Sequence, residues 1–108
     1  MTEETLRIRW NYAMDGEKRL NYWEAVRETG GSETVVASTP LILEPPNPGY
    51  DKFLMTESLP KPSVAHYEHQ VKMRSERRKL VEQLMAEGWH PDERDDEGLV
   101  VTMRRAEQ

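Results

Sequence analysis

Apolar and polar residues alternate strictly near the start of the chain, where Leu6, Ile8, Trp10 and Tyr12 are separated by Arg7, Arg9 and Asn11. Period two is the mark of a strand with one buried face. Met14-Asp15-Gly16-Glu17 then reads as a turn, with Gly16 supplying the positive φ that tight turns need. Residues 20–28 read as a second strand. Leu20, Tyr22 and Val26 lie on one side of it with Glu24 among them, and Trp23 and Ala25 lie on the other. Two registers compete. A three-residue loop sets Tyr12 opposite Leu20 and Trp10 opposite Tyr22, whereas a four-residue loop sets Trp10 opposite Trp23. Matching apolar with apolar favours the first. That choice puts Trp23 on the opposite face, where it needs another cover or a partner.

Gly30-Gly31-Ser32 is a second turn, and residues 33–38, with Val35 and Val36 at the centre, make a third strand that can run on through Leu41-Ile42-Leu43. Pro40 removes a ladder donor, so this strand lies at an edge or breaks there. Residues 44–62 carry Pro45, Pro46, Pro48, Pro60 and Pro62 and read as an irregular loop with an apolar stretch around Phe53 and Leu54. Ser63 fits an N-cap for a helix over residues 64–87, and Gly88 fits its C′ position. Trp89 then folds back on the last turn, and His90-Pro91 stops the helix. Residues 92–98 make a charged turn. Leu99, Val101 and Met103, alternating with Val100, Thr102 and Arg104, give a closing strand that pairs with the first strand or extends the meander. The expected fold is α+β in two layers: an antiparallel sheet of about four strands, in the order β-β-β-α-β, with one long helix on one face.

The helix does not keep a single apolar stripe. Val64, Tyr67 and Val71 cluster on one side, and Leu80, Val81, Leu84 and Met85 on a side rotated by roughly 100°. Either the helix breaks near Arg74-Ser75, or its first half packs against something other than the sheet. The long loop, through Phe53 and Leu54, is one cover; a second subunit is the other. On this reading Trp23, Tyr67, Val71 and Arg74 are the partner-binding candidates.

Length and composition narrow the functions. The chain of 108 residues is expected to be one domain, residues 1–108, with a modest core. With no cysteine, disulfide frameworks, thiolate zinc sites and cysteine nucleophiles are excluded. No apolar run reaches the roughly 20 residues of a membrane span, and the acidic start Met1-Thr2-Glu3-Glu4 is not a signal peptide, so a cytoplasmic protein with no membrane partner is expected. The net charge of -5 disfavours a bulk nucleic-acid binder. It leaves room for a local patch, and Lys72, Arg77, Arg78 and Lys79, with Arg74, are the candidate anion or nucleic-acid contacts. The simpler reading of these bases is a solvated helix face whose stems cover apolar surface.

Catalytic patterns are scarce. His66 and His69 share a helix face, as some metal ligands do, but the sequence places no third ligand and lacks the His-Glu-x-x-His pattern. Solvated helix histidines explain the spacing as well, so neither a metal site nor a cofactor is expected. No serine sits in a nucleophile elbow, and no phosphate loop or dinucleotide fingerprint is present. The aromatics Trp10, Tyr12, Tyr22 and Trp23, with Arg7, Arg9, Arg19 and Arg27 nearby, could stack single-stranded nucleic acid, but large rings more simply fill small cores.

Leu80, Leu84, Gly88, Trp89, Gly98 and Arg104-Arg105, with Trp10 and Tyr12 on the opening strand, resemble a family of small, mostly bacterial domains of unknown function. In these a helix ends in a Gly-Trp turn and a final strand closes with basic residues. The likeness covers the C-terminal third; His90 stands where the family often has an acid, and the proline-rich stretch is a departure. The resemblance implies a fold and no site. Taken together, the expectation is a non-enzymatic protein-protein interaction or regulatory module that forms a homodimer. A nucleic-acid binder, and a small enzyme or metal site around His66 and His69, are the alternatives.

Overall fold

A computed structural model describes residues 3–45 and 64–106. Strand β1 spans Glu3–Asp15, β2 Lys18–Thr29, β3 Ser32–Ser38 and β4 Ile42–Leu43; helix α1 spans Val64–Ala86; β5 is His90–Pro91 and β6 Thr102–Ala106. The fold is α+β, with an antiparallel sheet and one helix among the described residues. The sheet has six strands rather than four, in the order β3-β2-β1-β6-β5 with β4 also on β2. The two extra strands have local causes. Pro40 splits the third strand, so β3 and β4 pair with successive stretches of β2 along one edge. His90 and Pro91, expected only to stop the helix, also pair with Arg104 and Met103.

The first hairpin takes the register not favoured by apolar matching. Asp15 pairs with Lys18 across Gly16-Glu17, Trp10 lies opposite Trp23 and Tyr12 opposite Asn21. Glu24 explains the choice. The other register would set Glu24 across from Ile8, on the face that packs against the helix. In the observed one it lies across from Arg9, on the opposite face, where Arg9 Nε donates to it at 2.7 Å and Asn11 Nδ2 at 3.1 Å. Burying an unpaired carboxylate costs more than an imperfect apolar match. Arg9 also reaches Glu33 at 2.9 Å, and Arg7 reaches Glu28 at 3.3 Å, so this open face of the sheet is crossed by ion pairs.

Between Ala25↔Ala37 and Val26↔Val35 the register shifts, which leaves Val36 as an extra residue in edge strand β3. The closing strand pairs with the first: Leu6 with Met103, Glu4 with Arg105. Its expected alternation breaks, because Val100 and Met103 are the buried residues while Leu99 and Val101 are half-buried. Regular pairing begins only at Thr102, after a hairpin turn in which Asp95 Oδ1 accepts from the backbone N–H of Glu97 and Leu99.

Helix α1 is continuous and covers the sheet through Leu80, Val81 and Leu84, which pack with Leu6, Ile8, Ala25, Trp89, Val100 and Met103. It ends as expected at Gly88, whose φ is 100°. Gly88 N–H donates to Met85 O and Trp89 N–H to Leu84 O, the paired bonds of a Schellman cap, and Trp89 folds into the core. Among the described residues no helix is long and apolar enough to cross a membrane. The expected Ser63 cap and the covering role of Phe53 and Leu54 lie outside the described residues.

Candidate functional site

The sheet-facing positions of α1 run Met73, Arg77, Leu80, Val81 and Leu84. Continued back by helical spacing, the same face carries His66, His69 and Gln70. The inward face is therefore apolar over the core and polar over the outer half of the first hairpin. Val64, Tyr67 and Val71 point away from the sheet and are 75%, 69% and 56% exposed.

This change of character opens a groove of about 640 Å³, bounded by α1, the β1–β2 hairpin, Glu44 and the turn after β5. Trp10 and Trp23, a cross-strand pair, form its aromatic side. Trp23 is fixed: its Nε1–H donates to Met73 O at 2.9 Å, and the Arg77 guanidinium lies over its ring. In the observed register Trp23 shares the helix-covered face with Trp10, so it needs no other cover and is not an outward contact. Trp10 stays 43% exposed, 5.7 Å from Tyr12, with Arg19 stacked over both rings.

Asn21 is buried beneath the helix. Its Nδ2 donates to Glu44 Oε2 at 3.3 Å and lies 3.0 Å from His69 Nε2, while its Oδ1 has no partner. That contact makes His69 Nε2 an acceptor, which requires a neutral ring. Burial pushes His69 below the usual histidine range, more than the carboxylate of Glu44 draws it up; His66 and Lys72 add to the lowering. Arg77 is buried too. Its Nη2 donates to Val100 O at 2.6 Å, Asp95 stands 4.0 Å from Nη1, and Nε has no partner. Desolvation lowers the Arg77 pKa, but arginine stays charged at any physiological pH.

The other candidates fall in several places. Tyr67 and Val71 lie on the exposed outer stripe. Arg74 is exposed and paired with Glu97 at 2.8 Å, beside the groove. Lys72, Arg78 and Lys79 are exposed, with Lys79 held by Glu76 at 3.2 Å, whereas Arg77 turns inward and does not join them. His66 and His69 both line the groove, yet among the described residues no three of His, Cys, Asp and Glu gather as a metal site would need. Sequence reading missed Asn21 and Glu44 entirely. Only the polar residues at core spacing on α1 could have pointed to them.

Compared with protein-family models, curated proteins and solved structures, the chain matches none.

Proposed function

We propose that this chain is a non-enzymatic interaction module that self-associates through the outer face of the first half of α1. The observation that carries this is the inversion of the helix: Val64, Tyr67 and Val71 face solvent while His66, His69 and Gln70 face inward. Apolar residues at i, i+3 and i+7 make a stripe that water does not favour. The spacing is nearly symmetric about Tyr67. In an antiparallel two-fold pairing, Val64 of one copy meets Val71 of the other and the two Tyr67 rings meet near the axis. Arg74 and Arg78 flank the stripe by helical spacing. Three side chains cover less than the roughly 800 Å² per partner of a standard interface, so the contact is weak and depends on concentration.

Light scattering over a wide concentration range, at low and high salt, tests this. The expected result is a dimer that grows with concentration, resists salt and is abolished by Tyr67→Glu. A monomer at every concentration overturns the reading, as does a dimer indifferent to Tyr67→Glu. A dimer dissolved by salt would assign the contact to the helix bases and the acidic turn instead.

A further inference from the structure

The geometry points to the groove between α1 and the first hairpin as a binding site for an uncharged, planar nitrogen heterocycle of nucleobase size. The inference is independent of self-association, because the groove lies on the inner side of α1 and the apolar stripe on the outer.

The size of the groove, about 640 Å³, lies in the range of small-molecule sites. Its lining departs from ordinary core. Where the helix could have continued with aliphatic residues over two tryptophans, it presents His66, His69 and Gln70. Asn21 and Arg77 are 3% and 6% exposed, yet Asn21 Oδ1 lacks a donor and Arg77 Nε lacks an acceptor. Such groups carry a desolvation cost, and a ligand that brings both a donor and an acceptor edge would offset it. Asn21 Nδ2 is already engaged by Glu44 and His69, so Asn21 offers such a ligand its Oδ1 as acceptor and Arg77 offers its Nε–H as donor.

Charge narrows the ligand further. Arg74 is held by Glu97 at 2.8 Å, Arg77 faces Asp95 and the Val100 carbonyl, and Glu44 is held by Arg19 at 3.2 Å. Among the described residues the lining has no arginine or lysine without a carboxylate beside it, so none of them recruits a phosphate. Recognition falls to ring stacking on Trp10, which is 43% exposed beside the fixed ring of Trp23, and to hydrogen bonds at Asn21 Oδ1 and Arg77 Nε. A free base or a nucleoside fits this chemistry; a nucleotide does not.

The test is a titration of the isotope-labelled full chain with adenine, guanine, cytosine, uracil and their nucleosides, with AMP and indole as comparisons. It is followed through the indole N–H signals and the Asn21 side-chain amide. The proposal expects at least one base or nucleoside to give a saturable shift of the Trp10 indole and the Asn21 amide. Binding should be tighter than that of indole or AMP, and weakened about tenfold or more by Trp10→Ala. Trp10 is partly exposed, so this variant keeps the fold where an Asn21 variant could lose it. No saturable shift with any base or nucleoside overturns the proposal. So does binding unchanged in Trp10→Ala, or an equal response to indole, which would mean unspecific apolar contact. Tighter binding of AMP than adenosine would overturn the uncharged class.

Discussion

The guanidinium carbon of Arg77 lies 4.4 Å from the centre of the Trp23 ring. A charged residue thereby occupies a position on α1 that helical spacing would give to a leucine. Its stem and plane cover the tryptophan, and its Nη2 satisfies the Val100 carbonyl, two residues ahead of the closing strand. One side chain ties the helix to both hairpins.

Arg77→Ala should cost about 2–4 kcal/mol, because it uncovers Trp23 and strips the donor from a buried carbonyl. Arg77→Met should recover most of the loss by restoring the cover alone, as apolar replacements of buried charges often do. Urea unfolding of the two variants measures this. If methionine recovers nothing, the hydrogen bond to Val100 carries the effect.

Arg9→Ala should be more harmful than its partial exposure suggests. It leaves the buried Glu24 carboxylate with Asn11 as its remaining donor, at a cost of about 2–4 kcal/mol. Adding Glu24→Ala should return part of that stability, since the unpaired charge is gone. Additive losses in the double-mutant cycle would mean that the pair does not set the hairpin register.

Gly88→Ala should destabilise by about 1–2 kcal/mol, because φ at this residue is 100°. The added methyl group would meet Arg105 Cδ at 3.6 Å, an ordinary contact, so the backbone bears the cost. Gly88→Asn should lose less, asparagine being tolerant of left-handed backbone. Equal melting temperatures for the two variants would contradict this account.

Stability should fall as pH drops below about 6.5, the ordinary histidine value. His69 is held below it in the folded chain, so between the two values the unfolded chain binds more protons. The contribution is complete above the unfolded pKa and is lost as pH falls through the folded one. His69→Gln should flatten this limb in denaturation curves taken from pH 7.5 to 5. A further limb should appear in more acidic solution. There the Arg105 guanidinium, hydrogen-bonded to Glu4, holds that carboxyl below its usual range, with Arg27 assisting. That stabilisation is present above the ordinary carboxylate pKa and is lost as pH falls through the lowered one. If the wild-type and His69→Gln curves coincide from pH 7.5 to 5, the buried imidazole is not the titrating group.

Much of this fold is written in local pattern. The alternation of Leu6, Ile8, Trp10 and Tyr12, the glycine turns, the break at Pro40, and the Gly88-Trp89 stop depend on backbone geometry and spacing over a few residues, which any reading of the chain can follow. The split helix stripe is also legible; what covers Tyr67 and Val71 is not, because spacing on one helix says nothing of what packs against it. Tertiary structure alone decided the hairpin register, because the choice turned on the energy of placing Glu24 across from Arg9 and away from the helix. It alone made a strand of His90–Pro91, an element of two residues that exists only because β6 offers it a free edge. The groove belongs to the same class. Asn21 and Glu44 lie far from His69 and Arg77 along the chain, and only the docking of α1 on the sheet brings the four together, with Asn21 and Arg77 buried and His69 and Glu44 half-buried.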